Sequence, residues 1–466
     1  MVSCRDHIAF HYFGLWHDRG YHGPSGCQKD PSEYPAASAF SALPYTHISP
    51  PPRQADKVGA FPKPESHRRF RLHRNFGLPR FVPLVICPMN IGHLIKKAFA
   101  FLFLALVIGT ALYFIYKRER MTGAPPRDTT ILHEASYYEA FPSKTVQCSL
   151  CPNQCMLPPE QWGACKARKN IGGKLYSMVY GKIATAHVDP IEKKPFFHVL
   201  PGSKAFSIGT TGCNMRCLFC QNWEISQIFP KDLETQTATP EQVVATVKAS
   251  SATIIAFTYN EPIISYEYTL DIAKLAKSQG LKTVMISNGY IEKEPLLELL
   301  KYIDAYKVDL KAFDEKFYKK LTGGHLAPIL ETLKTIQQSG VWLEIVTLLV
   351  PGENDSETEV RAMAQWIRKN LGDSVPLHFS RYFPQYKLKN LPPTSPETLV
   401  RARQIAMEEG LKFVYTGNIA YPDGEATYCP DSKEKVIVRQ GYFIIANDLK
   451  DGACSDGEKI PGIWNN

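Results

Sequence analysis

From Ala205 to Thr416, short apolar runs rich in β-branched residues alternate with stretches in which apolar residues recur every three or four positions. The runs Ala205–Gly209, Thr253–Thr258, Lys282–Ser287, Ala305–Leu310, Trp342–Val350, Pro376–Arg381 and Lys412–Thr416 predict strands. Between them Pro240–Ala249, Ile263–Ser278, Glu294–Tyr302, Ile329–Ser339, Ser356–Asn370 and Pro396–Glu408 carry helical periodicity. Strand-helix alternation of this kind implies an α/β fold, a parallel sheet covered by helices. In a closed or partly closed barrel, the chemistry gathers where the strands end.

Upstream the pattern breaks. Residues 1–88 hold 12 of the 35 prolines and 7 of the 13 histidines, with little sustained periodicity. A disordered tail and a translated region upstream of a start at Met89 both account for them. Ala98–Tyr116 is then a run of 19 residues without a charge, between Lys96-Lys97 and Lys117-Arg118. As a helix rising ~1.5 Å per residue it spans ~28 Å, close to the hydrocarbon core of a bilayer. A secretory signal peptide is the alternative, but the run exceeds the usual apolar region and no small-x-small cleavage site follows. Gly123–Ser143 is a linker with Pro125-Pro126, and its Tyr137-Tyr138-Glu139 reads as a short helical segment.

Composition adds little beyond a globular body: 466 residues, 44% hydrophobic and 21% charged. The net charge of +9 comes disproportionately from residues 1–88, with 11 Lys/Arg against 6 Asp/Glu, and does not call for nucleic acid. The cysteines change the picture. Seven of the 12 lie in two tight sets, a pattern of metal sites in a reducing compartment rather than of a disulfide framework. The first is Cys148-x2-Cys151-x3-Cys155-x9-Cys165. Four thiolates can complete a zinc site or a closed iron-sulfur cluster, or remain unligated, and the spacing does not choose.

The second set, Gly212-Cys213-Asn-Met-Arg-Cys217-Leu-Phe219-Cys220-Gln-Asn222, follows the first predicted strand of the alternating region. Three thiols leave one iron of a 4Fe-4S cluster open to a small molecule, since such clusters normally take four. A zinc loop or buried free thiols are the bland alternatives. With its CxxxCxxC spacing and Phe219-Cys220 pair, the loop resembles the cluster loop of radical S-adenosylmethionine (SAM) enzymes. The resemblance implies a partial (β/α) TIM-like radical SAM barrel in which SAM chelates the open iron and is cleaved by one electron to methionine and a 5'-deoxyadenosyl radical.

Polar residues recur at the later strand ends. Asn260-Glu261 stands where the family commonly has a Gly-Gly-Glu-Pro segment, with Tyr259-Asn260 replacing the glycines. Ser287-Asn288-Gly289 and Asp309-Leu-Lys311 end the next two strands, and His378 lies on the sixth. Asp309 and Lys311 share a face by the period of two. These residues resemble positions of pyruvate formate-lyase activating enzyme and its relatives. The likeness implies SAM contacts for Phe219 (through its backbone), Asn222, Asn260, Glu261, Ser287, Asn288, Asp309, Lys311 and His378. Asp189-Pro-Ile-Glu-Lys-Lys-Pro195, Pro201-Gly-Ser203, Gly212–Ser226 and Val350-Pro-Gly352 with Asn354-Asp355 resemble the radical SAM proteins of the AmmeMemoRadiSam system.

The expected division is an extension (1–88), an anchor (89–120), a linker with the Cys-rich segment (121–202), the barrel (203–420) and a tail (421–466). In the tail, Cys429 and Cys454 look like remnants of two CxxC knuckles and are too few for zinc, while Gly441 reads as a turn glycine. The expected function is a membrane-tethered radical SAM enzyme of glycyl-radical-activating type. It is a single-pass protein whose catalytic body faces the cytoplasm. Its electron donor is of the flavodoxin or ferredoxin class, and its substrate is an unidentified protein or small molecule. The rival readings are an iron-sulfur electron carrier and a metal-binding scaffold without SAM chemistry.

Overall fold

The computed structural model describes Gly109, Thr110 and residues 132–465. Among them, eight strands build one sheet: β1 (Thr185–Pro190), β2 (Lys204–Gly209), β3 (Ile254–Phe257), β4 (Lys282–Ser287), β5 (Ala305–Asp309), β6 (Trp342–Leu349), β7 (Leu377–Arg381) and β8 (Val414–Gly417). Spatial order follows chain order from β1 to β8. Strands β2 to β8 run parallel, with Ala256 beside both Ser207 and Val284. β1 is antiparallel to β2, pairing Thr185 with Gly209 and Asp189 with Ala205. Among the described residues β1 and β8 do not pair, so the barrel is partial.

Six helices make the crossovers: α1 (Pro240–Ala249), α2 (Tyr266–Ser278), α3 (Lys293–Leu300), α4 (Leu326–Ser339), α5 (Glu357–Leu371) and α6 (Pro396–Glu408). Their starts are chemically specified. Thr239 and Gln242 form a capping box at α1, and the side chains of Ser356 and Ser395 cap α5 and α6. The period of two sorts the strand residues. Ile255, Phe257, Met285, Tyr306, Val308, Leu343 and Ile345 pack outward with helix residues such as Val243, Ile272 and Leu333. Ala205, Ala256, Val284 and Ala305 face inward, and their small size leaves room for Ile191, Phe196, Val199 and Leu200.

That inner segment, 191–200, closes the end of the barrel where the strands begin. Glu344 on β6 accepts hydrogen bonds from the amides of Phe197 (3.0 Å) and His198 (2.9 Å), from Trp342 Nε1 (3.1 Å) and from His378 Nε2 (2.7 Å). Burial pushes this carboxyl up, but those donors and the two histidines outweigh it and hold the group at about 2. The tail returns to the same place, where the Leu200 amide donates to Ile463 O at 2.7 Å. Nothing in the local sequence announced this closure.

Two expectations are corrected. Tyr138–Ala140 is a strand, not a helical turn, because Tyr138 and Ala140 pair with Cys148 and Val146 in a small antiparallel sheet. The tail is a three-stranded antiparallel sheet of Thr427–Tyr428, Lys435–Gln440 and Phe443–Asn447, with Gly441 at φ 60° in its tight turn. Cys429 and Cys454 are joined in a disulfide, with Cα atoms 6.2 Å apart. Among the described residues no helix is long and apolar enough to cross a membrane. Residues 1–88 and, apart from Gly109 and Thr110, the run Ala98–Tyr116 lie outside the described residues.

Candidate radical SAM site

The three-thiol loop leaves β2 at its C-terminal end, as strand order predicted, and is pinned from several sides. Asn260, just after β3, holds its base: Oδ1 accepts from the Thr210 amide (3.0 Å), and Nδ2 donates to Thr210 Oγ1 (3.1 Å) and Gly212 O (2.9 Å). On the far side, the amides of Arg216 and Leu218 donate to Thr322 O (2.7 Å) and Leu321 O (2.8 Å). Leu218 O in turn accepts from the Lys387 and Leu388 amides. Protein contacts thus hold the loop on both sides.

Behind it lies a second layer. Glu261 is buried and accepts from Ser287 Oγ (2.8 Å), the Asn288 amide (2.8 Å) and the Ile263 amide (3.1 Å). Burial raises its pKa to about 7 despite those three donors. Asn288 donates to Asn214 Oδ1 at 2.8 Å and approaches Cys213 Sγ at 3.9 Å. Asn260, Glu261, Ser287 and Asn288 are thus brought together, but Asn260 and Asn288 are engaged in holding the loop, and Glu261 and Ser287 in holding each other and Asn288. Asn222 donates to Tyr259 O at 2.7 Å and precedes the short helix Trp223–Ser226. Phe219 is buried, its ring 5.8 Å from that of Phe317.

Inside the barrel, Asp309 pairs with Lys307 (3.0 Å) and Lys311 (3.3 Å). Burial raises the Asp309 carboxyl, but the two lysines hold it below the usual carboxylate range. Burial lowers Lys311, but Asp309 and Cys217 lift it above the usual lysine range. Asn354, singled out in the sequence with Val350-Pro-Gly352, donates to Lys311 O (2.6 Å) and Leu348 O (2.9 Å), so that motif fixes the backbone of Lys311. Asp189 binds Lys193 (2.9 Å), Lys194 (2.7 Å) and Tyr259 OH (2.9 Å). His378 stands apart. Its Nε2 bonds Glu344 and its ring packs 4.9 Å from Phe197 and 5.0 Å from Tyr415, at the closed end of the barrel. The strand position was right, but the side chain turns toward the floor.

The donor set fits an open cluster. Burial pushes the Cys213, Cys217 and Cys220 thiols up, Cys217 to about 12, so thiolates here need a cation. Met215 N points at Cys213 Sγ (3.4 Å), a donor suited to a ligand sulfur. Residues 207–364 match the radical SAM superfamily. An uncharacterized protein of Methanocaldococcus jannaschii is 42% identical over 71% of this chain and 99% of its own length. The chain belongs to the radical SAM superfamily. It is similar to the pyruvate formate-lyase 1-activating enzyme of Escherichia coli, at 25% identity over 44% of this chain and 89% of that one. Among solved structures, a domain of a pyruvate-formate lyase-activating enzyme from Bacteroides vulgatus matches with a TM-score of 0.32 and 20% identity, covering 35% of this chain and 98% of that one. The radical SAM domain and the activating-enzyme homologue make the protein a radical SAM enzyme, a family whose cofactors are a 4Fe-4S cluster and SAM.

Proposed function

We propose that Cys213, Cys217 and Cys220 hold the open 4Fe-4S cluster, at which SAM is reductively cleaved to supply a 5'-deoxyadenosyl radical for hydrogen abstraction. The observation that carries this reading is a loop with three buried or half-buried thiols, pinned by protein contacts on both sides and placed at the strand ends. Asn260 and Asn288 position the loop, and Glu261, bonded to Ser287 and the Asn288 amide, supports Asn288. Phe219 and Asn222 flank the third cysteine, and Lys311, with Asp309, offers charge from the barrel interior to the carboxylate and ribose of SAM.

The test is anaerobic turnover, expected to give 5'-deoxyadenosine and methionine in equal amounts; no SAM cleavage by fully iron-loaded protein would reject the reading. Lys311→Met probes the SAM contact. Lys307 still pairs with Asp309, so the variant is expected to keep its iron and fold while its Kd for SAM rises about tenfold, or ~1.4 kcal/mol. An unchanged Kd by equilibrium dialysis removes Lys311 from the contact.

Two relatives named as activating enzymes act on another enzyme by their names, which supports a glycine of a partner protein as the substrate. Electron paramagnetic resonance after mixing with a candidate partner tests this by the presence or absence of a glycyl radical. The anchor is a separate proposal, supported by the uncharged run Ala98–Tyr116. A chain begun at Met89 is expected to stay with membranes through carbonate extraction, and one begun at Met121 to be released. Release of both would reject the anchor.

A further inference from the structure

Outside the site just described, one cluster of ligating side chains is built rather than scattered. Cys148 ends a strand, and its amide donates to Cys155 O at 3.0 Å. Cys148, Cys155 and Cys165 all lie close enough to Cys151 to interact with it. A buried guanidinium, Arg168, donates to Cys148 Sγ at 3.7 Å while paired with Glu267. Four thiols and a cation aimed at one of them make a closed ligand set of net negative charge when metallated.

The set is also joined to the loop of the first site. Cys165 O accepts the amide of Cys213 at 3.2 Å, so a thiol of one set and a thiol of the other sit on hydrogen-bonded backbones. Asn153 Nδ2 donates to Asn214 O at 2.8 Å, a second tie between the same two loops. A Cβ on Gly212 would fall 2.4 Å from Cys165 O, which shows how closely the two segments are pressed together. Exposure is asymmetric. Cys165 is buried against the SAM loop, whereas Cys155 is partly exposed and adjoins Met156, an exposed apolar side chain.

The spacing of the sulfurs bears on the metal. A tetrahedral zinc with bonds of about 2.3 Å brings its sulfurs to about 3.8 Å from one another. Among the described residues, no three of these four thiols lie within 4.8 Å of one another, and the same holds for Cys213, Cys217 and Cys220. A four-iron cube places each thiolate on a different iron and tolerates that wider spacing.

We propose that Cys148, Cys151, Cys155 and Cys165 bind a second 4Fe-4S cluster, and that it is the entry point for the electron used at the first. This rests on the radical SAM reading above. A one-electron donor of the flavodoxin or ferredoxin class reduces the second cluster at its Cys155 side. That cluster is reoxidised by passing the electron past Cys165 to the SAM cluster, and each electron cleaves one SAM. Arg168, by hydrogen bonding to a ligand sulfur, stabilises the reduced form and so raises the potential of this site.

The experiment is metal analysis and spectroscopy of the full chain purified without oxygen. The wild type is expected to contain about eight iron and eight sulfide per chain, with no stoichiometric zinc. A Cys213→Ala/Cys217→Ala/Cys220→Ala variant is expected to retain about four iron and a reduced-cluster signal that SAM does not perturb. A Cys151→Ser/Cys155→Ser variant is expected to keep the SAM-perturbed signal. Its rate of 5'-deoxyadenosine formation should stay near wild type with dithionite and fall at least about tenfold with reduced flavodoxin. About four iron plus one zinc in the wild type overturns the proposal, and that count decides even if a variant fails to fold. An unchanged flavodoxin-driven rate in the iron-depleted double variant overturns the relay. Eight iron without any SAM cleavage would instead leave the second cluster standing and remove the radical SAM reading.

Discussion

Cys217→Ala is expected to yield a folded protein that has lost the brown colour of its SAM cluster and essentially all SAM cleavage. Folding survives because the loop is held by its backbone: the amides on either side of Cys217 donate to Thr322 and Leu321, and Asn260 clamps the segment before it. The side chain removed is small and buried in the main core cluster, together with Met215, Phe219 and Leu321. Chemistry is not expected to survive, because in the proposed site only three thiols serve the cluster and none is redundant. Removing a group that merely supports a metal ligand commonly costs about 10- to 100-fold, so loss of a ligand itself is expected to exceed about a hundredfold. Iron should fall by the content of one cluster while the melting temperature moves by only a few degrees. Chromatographic assay of 5'-deoxyadenosine under dithionite decides the matter, and a rate equal to wild type would remove Cys217 from the cluster.

How much of this was legible beforehand differs between the scaffold and the site. The strands of the alternating region were readable because each is a short run whose outward residues must meet a helix, so apolar character and period are both imposed on the sequence. β4, α1 and α6 have the predicted bounds, and the others differ by a few residues at their ends. β1 was not readable. Its run Thr-Ala-His-Val-Asp-Pro buries Asp189 against Tyr259 and two lysines while His187 and Val188 are both exposed, so the edge strand lacks the apolar alternation that marks a half-buried strand. The floor segment 191–200 was hidden for another reason. What holds it is Glu344 and Ile463, more than a hundred residues away, and pairings at that range leave no local trace.

In the site, residue type survived better than residue contact. Three thiols at fixed spacing mark the loop by residue type alone. Asn260, Glu261, Ser287 and Asn288 were expected to meet SAM, and the structure gives their hydrogen bonds to the loop and to each other. A strand-end position tells which residues gather, not which way an amide or carboxylate turns. His378 makes the point most clearly, since β7 delivers it to the interior and Glu344 then draws its ring toward the floor.

Gly212→Ala carries the second large effect, because one hydrogen atom there separates the two cysteine sets. Gly212 has φ +99°, and a Cβ built on it lies 2.4 Å from Cys165 O and 3.4 Å from the Ala167 side chain. The obstruction is backbone, so no side chain can swing aside. Either the Cys165 carbonyl retreats and releases the Cys213 amide, or the loop shifts and loses the bond from Asn260 to Gly212 O. The positive φ costs about 1–2 kcal/mol for a residue with a Cβ, and the overpacking adds about 1–3 kcal/mol. Gly441→Ala separates the two terms, since Gly441 also has positive φ but no heavy atom within 4 Å of where an added methyl group would stand. Anaerobic denaturation is therefore expected to show a loss of about 1–2 kcal/mol for Gly441→Ala with full iron, and about 2–5 kcal/mol for Gly212→Ala with iron depleted at the SAM loop. Equal losses in the two variants, with full iron in both, would mean that the contact between Gly212 and Cys165 does not hold the loop in place.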